Sequence, residues 1–146
     1  MLDRAGIAAR LPHAGRMCLL EQVIFWDERS IRCRAVSHRD ADNPLREAGG
    51  LAAFAVIEYA AQAAAVHGAL LHGRAEPRSG VLASLKDVAA MRPWLHDLDE
   101  DLLIEATLLH SDPAGGIFDF NACAGTTQVL SGQFTLMYIE TLQAPA

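Results

Sequence analysis

The chain has 146 residues, 51% of them hydrophobic and 21% charged, and its formal net charge is −6. This length and composition suit one globular unit with its own core, so we expect a single domain over residues 1–146 and exclude a disordered chain. An acidic chain with scattered basic residues offers no surface for a phosphate backbone, which disfavours nucleic-acid binding. The three cysteines lack CxxC or CxxH spacing, which favours reduced thiols and no metal site. The N-terminus lacks an apolar signal segment, so we expect a cytoplasmic protein.

The first half of the chain predicts a hairpin followed by one long helix. The strands Cys18–Trp26 and Ser30–Val36 are separated by the turn 27–29, and the second strand alternates in polarity with period two. The helix Leu51–His72 is apolar and rich in alanine, with Glu58 as its only formal charge. Its length would suffice for a membrane span, but a carboxylate at hydrocarbon depth is costly. We therefore expect the buried helix of a globular domain and no membrane span.

Four further strands are predicted after the helix. Phe118 and Phe120 face one way and Asp119 the other, which indicates an antiparallel sheet with one covered face. The pattern predicts an α+β fold in which a six-stranded antiparallel sheet wraps one long central helix. Such a sheet has exposed edges, and pairing them across a two-fold axis predicts a dimer. The four strands are Val81–Val88, Leu102–Leu109, Ile117–Ala124 and Val129–Ile139.

Glu58 is the first candidate for chemistry. A carboxyl group buried in an apolar helix is costly unless it is paired, and an unpaired one gains a raised pKa and becomes a usable acid. Gln62 lies one turn further on the same face, where its amide can orient that carboxyl group by a hydrogen bond. The alternative interpretation is a solvated stripe of Glu58, Tyr59 and Gln62 on an outward face.

Histidine also suits proton transfer, and the chain has six. His13 lies in the segment 11–15 ahead of the first strand, where a proline before it and a glycine after it set the backbone that aims its side chain. His67 and His72 point away from each other on a helix, so they do not share a metal ion. Two further histidines, His96 and His110, are expected to be solvated.

Several motifs together resemble the β-hydroxyacyl-ACP dehydratases of the hotdog fold, over nearly the whole chain. The closest resemblance is to the small dehydratase-like proteins of aryl polyene pigment clusters. It rests on an LPHxGxM motif at 11–17 and a PLxxxGGLxAxxxIEYxAQ motif at 44–62, supported by Leu85–Val88 and Arg92-Pro93. The resemblance implies dehydration of 3-hydroxyacyl thioesters to trans-2-enoyl thioesters without a cofactor, in fatty acid or polyene-type biosynthesis.

The resemblance also assigns site residues. Glu58 carries over as the general acid, with Gln62 beside it. The backbone N–H that polarises the thioester carbonyl falls at Ala53, within one or two residues. The family's catalytic histidine, fourteen residues before the helix carboxylate, is Pro44 here. We therefore expect another imidazole to act as the base, His13 first and His38 second, and we expect substrate to contact Gly50, Ala53, Phe54 and Gln62.

The implied partners are an acyl-ACP or acyl-CoA thioester and either a second copy of the chain or a second hotdog protein. Because carrier proteins are acidic, docking one on this acidic chain needs local basic residues. The candidates are Arg39, Arg46, Arg74 and Arg78, which flank the helix ends, and scattered solubilising arginines are the alternative interpretation. Two other functions stay open: a non-catalytic partner subunit of a heterodimeric dehydratase, and a hotdog acyl thioesterase whose helix carboxylate activates water.

Overall fold

The computed structural model describes residues 2–12, 15–74 and 76–139. Two α-helices and six strands make up its regular structure, with short 3₁₀ turns at Gly15–Met17, Ser37–Arg39 and Ala53–Ala55. The helices are α1, Arg4–Ala8, and α2, Val56–Leu71. The strands are β1 Gln22–Trp26, β2 Ser30–Ala35, β3 Gly80–Ala90, β4 Leu102–Asp112, β5 Gly115–Ala124 and β6 Thr127–Tyr138.

The six strands form one antiparallel sheet in the order β1-β2-β4-β5-β6-β3. Helix α2 lies across its concave face and packs against β2, β4, β5 and β6. The predicted alternation in β5 is confirmed, since Phe118 and Phe120 are buried against the core while Asp119 is exposed. The α+β hotdog fold predicted from the sequence is therefore confirmed.

Helix α2 is the core of the domain. Over Ala53–Leu71 it is long and apolar enough to cross a membrane, but half of that segment is buried inside the protein. Val56, Tyr59 and Ala63 on this helix are fully inaccessible to solvent. Its apolar character therefore belongs to the packing between helix and sheet.

The predicted helix start at Leu51 is wrong by five residues. The Leu51 N–H donates to Nδ1 of His96 at 3.0 Å, and its carbonyl accepts from Leu95 N–H at 2.8 Å. These bonds, together with a bridge between Ala52 and Trp94, hold residues 51 and 52 extended. A 3₁₀ turn then leads into the α-helix at Val56. Long-range pairing thus replaces the first helical turn that the apolar pattern predicted.

The two edges of the sheet differ in length. Strand β1 is only five residues long. Strand β3, at the other edge, has eleven residues, nine of which are exposed on the described chain. Val81 and Leu85 on this strand are 39% and 47% exposed, and Met91 just beyond it is 58% exposed. A long exposed edge with apolar side chains is a surface that proteins usually cover.

Candidate active site

A cavity of about 90 Å³ lies between helix α2, the start of β3 and the end of β6. The helix contributes four positions spaced by three, one and three residues, which places them on one face. Glu58 is at the N-terminal end of this row. The remaining walls come from the segment before β1 and from the two strands. The lining residues are Leu11, Pro12, Glu58, Ala61, Gln62, Ala65, Arg78, Gly80, Leu136 and Tyr138.

The expected burial of Glu58 is wrong for the described chain. Its side chain is exposed at the edge of this cavity. It makes no hydrogen bond or ion pair with any described residue, so its carboxyl oxygens are available to a ligand. The reason it escapes the core is that α2 turns its other faces, with Tyr59 and Ala60, towards the sheet.

Gln62 is buried beside Glu58, but its amide forms hydrogen bonds with the backbone of the segment before β1. Its Oε1 accepts the Leu19 N–H at 2.9 Å, and its Nε2 donates to the Met17 carbonyl at 2.6 Å. The expected hydrogen bond from Gln62 to Glu58 is therefore not made. The amide instead fixes the segment that leads from the cavity wall into β1.

The start of the helix presents one backbone donor close to the position predicted for it. The Ala53 N–H, expected to bind the thioester oxygen, already donates to the Pro93 carbonyl at 2.9 Å. The next amide, that of Phe54, has no acceptor among the described residues. Gly50 has its N–H bonded to the Glu47 carbonyl at 3.0 Å. On the helix side of Ala53, Phe54 is therefore the first amide without an acceptor among the described residues.

The first-choice base, His13, lies outside the described residues. The two residues before it, Leu11 and Pro12, line the same cavity as Glu58. The second choice, His38, does not line this cavity and is fully buried after β2. Its Nε2 contacts the carbonyls of Leu98 and Glu100 at 3.1 and 3.0 Å.

Two buried histidines are held neutral. Carbonyl oxygens only accept, so Nε2 of His38 carries the proton, and its Nδ1 has no partner among the described residues. The same holds for His67, whose Nε2 lies 2.8 Å from the Asp27 carbonyl. Burial is the largest effect on both and lowers the pKa of each imidazole. His96, expected to be solvated, is instead half-buried and accepts the Leu51 N–H.

Pro44, at the position of the family histidine, lines a different cavity from Glu58. That cavity, of about 160 Å³, lies beside the segment between β2 and α2. The segment is held by the buried Tyr59 hydroxyl, which bonds with Ser37 Oγ at 2.8 Å and accepts from Asn43 Nδ2 at 3.1 Å. Among the described residues, therefore, Pro44 and Glu58 line two different cavities.

The cysteines behave as apolar groups. All three are free, and Cys18 and Cys33 are buried. Burial raises the pKa of the Cys33 thiol to about 12 and raises that of Cys18 as well. Within residues 2–12, 15–74 and 76–139, no three His, Cys, Asp or Glu side chains are grouped as metal ligands.

Tyr138 is a cavity residue that sequence patterns missed. It ends β6, and both Arg74 and Arg78 stack on its ring. Ala61 and Ala65 were also missed as lining residues, although their spacing from Glu58 places them on its helix face. That spacing was a usable signal, whereas no local pattern links Tyr138 to the helix.

Comparisons with known proteins agree with this fold. A family model, ApeP-like, described as ApeP dehydratase, matches residues 5–145. A search of curated proteins gave no match. The solved dehydratase heterocomplex ApeI:P from Xenorhabdus doucetiae contains a chain with 26% sequence identity and a TM-score of 0.82. The match covers 98% of this chain and 97% of that one.

More distant structures share the fold alone. The PaaI protein from the phenylacetic acid degradation operon of E. coli is 14% identical, with a TM-score of 0.56 and coverage of 80% of this chain and 81% of its own. The thioesterase HI1161 from Haemophilus influenzae is also 14% identical, with a TM-score of 0.57 and coverage of 80% and 76%. At these identities the structural similarity shows the fold and says nothing about activity.

Proposed function

The chain belongs to the ApeP-like dehydratase family, and we propose that it acts on 3-hydroxyacyl thioesters carried by an acyl carrier protein, in the cytoplasm, during aryl polyene biosynthesis. The observation that carries the proposal is Glu58, a carboxyl group at the edge of a cavity on the central helix that has no hydrogen-bond or ion-pair partner among the described residues. We further propose that residues 1–146 form one hotdog domain.

The proposed elimination needs three groups. A base takes the α-proton, a backbone N–H stabilises the charge that develops on the thioester oxygen, and an acid protonates the leaving hydroxyl. In the proposal Glu58 is the acid and His13 the base. The amide is assigned to the helix start, at Phe54 in preference to Ala53. Loss of water then leaves the trans-2-enoyl thioester, and no external oxidant or reductant is required.

The support for His13 is its place in the sequence. Pro12, the residue before it, lines the cavity that Glu58 borders. The support for Phe54 is its N–H at the start of the helix, which has no acceptor in the part of the chain that the structure describes. Gln62 contributes by fixing the wall of the cavity.

The test measures the rate at which the chain dehydrates a 3-hydroxyacyl thioester of a carrier protein, followed by the absorbance of the enoyl product. General acids and bases contribute about 10²–10⁴-fold each, so Glu58→Gln and His13→Ala should each lower kcat by at least about 10². Their effects should be non-additive. Glu28→Gln, which removes an exposed carboxylate in the β1–β2 turn, serves as the control and should retain activity. Normal activity of Glu58→Gln would contradict the proposal.

A second candidate is that the chain is a partner subunit whose own catalytic machinery is incomplete. Two observations favour it: Pro44 occupies the family's histidine position, and the similar solved chain belongs to a dehydratase heterocomplex. The exposed apolar strand β3 provides a surface for such a subunit. If the purified chain eliminates no water but stimulates a second hotdog dehydratase, this candidate replaces the first. Release of free thiol would instead indicate a thioesterase.

A further inference from the structure

The segment 93–96 holds the entry to helix α2 through a short antiparallel pairing. The Ala53 N–H donates to the Pro93 carbonyl at 2.9 Å. Two residues earlier on the same side, the Leu51 carbonyl accepts the Leu95 N–H at 2.8 Å. These two hydrogen bonds fix the direction of the chain just before it turns into the helix.

A third bond of this pairing is made by a side chain in place of the backbone. In a regular antiparallel ladder, Leu51 and Leu95 would exchange both of their N–H···O bonds. The Leu95 carbonyl instead accepts the Leu98 N–H at 3.1 Å. Nδ1 of His96 takes the place of that carbonyl and accepts the Leu51 N–H at 3.0 Å. The imidazole therefore supplies the acceptor that the ladder would otherwise lack.

The imidazole ring of His96 is held in place by close contacts. The Trp94 ring packs edge-on against it, with the two centroids 5.3 Å apart. A Cβ at Gly50 would overlap the imidazole, so this approach requires a residue without a side chain. A Cβ at Gly49 would in turn come within 3.0 Å of the Trp94 ring. Two adjacent glycines and two rings thus determine where Nδ1 lies.

The role of acceptor defines which side chains could replace this histidine. Because the Leu51 N–H is a donor, Nδ1 of His96 carries no proton and the ring is neutral, with its proton on Nε2. Asparagine can place its Oδ1 close to the position of Nδ1, since both atoms are bonded to Cγ. The acceptor oxygen of glutamine lies one bond further out. The position of the acceptor can therefore be tested separately from the polarity of the side chain.

The pairing ends immediately before the amide that the proposed reaction uses. Ala53 makes its last hydrogen bond, and the Phe54 N–H has no acceptor among the described residues. Only two residues separate Phe54 from Leu51, so the position of its N–H depends on how the chain is held at Leu51. Donors act on an oxyanion at about 2.7–3.1 Å, and a displacement of about 1 Å can lower the rate by about 10²-fold.

We propose that His96 is a positioning residue of the dehydratase: through the Leu51 N–H it sets the direction from which the Phe54 N–H meets the thioester oxygen. This inference rests on the proposed function, because it takes Phe54 to be the oxyanion donor. His96 does not line the Glu58 cavity, so it acts through the backbone and not on the substrate.

The test compares His96→Asn with His96→Gln in the dehydration of a 3-hydroxyacyl thioester of a carrier protein. Both variants carry a neutral amide, but only asparagine offers an acceptor near the position of Nδ1. We expect His96→Gln to lower kcat at least about tenfold and to change KM less than about threefold, because an oxyanion donor acts in the transition state. His96→Asn should keep kcat within about threefold of the wild-type value. His110→Gln, at an exposed position on β4, is the control and should match the wild-type chain.

Amide hydrogen exchange at Leu51 measures the same hydrogen bond without turnover. Exchange should be at least about tenfold faster in His96→Gln than in the wild-type chain, and His96→Asn should retain the protection. Melting temperatures show that each variant is folded at the assay temperature, and His96→Ala replaces His96→Gln if the latter does not fold.

Two outcomes would overturn the role of His96 and leave the proposed function intact. One is an equal kcat in the two amide variants, and the other is a loss of kcat in His96→Gln without faster exchange at Leu51. A wild-type chain that dehydrates nothing, alone or with a second hotdog subunit, would instead overturn the proposed function and the role of His96 with it.

Discussion

Gln62 accepts a hydrogen bond from the Leu19 N–H, 43 residues earlier in the chain, at 2.9 Å. Its Nε2 donates to the Met17 carbonyl in the same segment, so one buried amide satisfies two backbone groups of the strand entry. This contact ties the N-terminal wall of the Glu58 cavity to the central helix. The shape of the cavity thus depends on a side chain whose own polar atoms are already engaged.

Replacing Gln62 by leucine should destabilise the protein. Leucine keeps the volume but leaves the buried Leu19 N–H and the part-buried Met17 carbonyl without partners, each at a cost of up to about 1–3 kcal/mol. We expect the free energy of unfolding in urea to fall by about 2–4 kcal/mol. Gln128→Leu, at an exposed position at the start of β6, is the control and should change stability by less than about 0.5 kcal/mol. Equal stability of the two variants would mean that the amide bonds are not needed.

Gly50→Ala should be more costly than Gly73→Ala. Both glycines have positive φ, +122° and +63°, so both substitutions strain the backbone, by about 1–2 kcal/mol at the left-handed φ of Gly73. A Cβ at Gly50 would also overlap the His96 ring, whereas nothing lies within 4 Å of one at Gly73. Urea denaturation of both variants measures the difference. If His96→Ala fails to reduce the penalty of Gly50→Ala in a double-mutant cycle, the imidazole is not its cause.

Stability should decrease as the pH falls from 7.5 to 5.5. Burial lowers the pKa of His38 and His67 in the folded chain, while the unfolded chain titrates near the ordinary histidine value of about 6.5. Below that pH the unfolded state binds protons that the folded state does not, so the free energy of unfolding falls. The stabilisation from the two neutral histidines is complete above about pH 6.5. Below that pH, each histidine lowers the free energy of unfolding by at most about 1.4 kcal/mol per pH unit.

The measurement is the urea midpoint of unfolding at several pH values. The quantity compared is the slope of this midpoint against pH, not its absolute value. His38→Gln and His67→Gln should each reduce the slope. His110→Gln, at an exposed position on β4, should leave it unchanged. A wild-type slope of zero across this range would contradict the neutral, buried state of both imidazoles.

Local patterns predicted the fold well because each element carries its own periodicity. The six strands and the central helix all occur in the predicted order, with ends that differ by up to five residues. The short helix Arg4–Ala8 was missed because it has a single buried position, Ile7. Its N-cap Asp3, which accepts the Gly6 N–H at 2.9 Å, was the available signal.

The site was less predictable because its decisive contacts join distant segments. Helical spacing correctly placed Glu58 and Gln62 on one face, but it does not reveal that Gln62 bonds with Leu19. The hydrogen bond from the Ala53 N–H to the Pro93 carbonyl joins residues 40 positions apart, and no local pattern predicts it. Apolar flanking sequence also suggested a buried carboxyl group, whereas the helix exposes Glu58 along a stripe of small residues beside the cavity.

Strand β3 leads to the last prediction, which concerns assembly. It is an edge strand whose free side offers unpaired backbone groups, and Leu85 on it is 47% exposed. If a second hotdog subunit pairs there, Leu85→Glu places a charge in a covered apolar contact and should lower the mass measured by sedimentation from dimer to monomer. Leu109→Glu changes a residue of similar exposure, 50%, on β4 and serves as the matched control.

The same experiment separates two roles for the surface. A Leu85→Glu monomer that keeps its melting temperature but loses dehydration would indicate that the second subunit completes the active site, as the position of Pro44 suggests. A fully active monomer would indicate that Glu58 works within one chain. Retention of the dimer by Leu85→Glu, or its loss in Leu109→Glu alone, would place the interface away from β3.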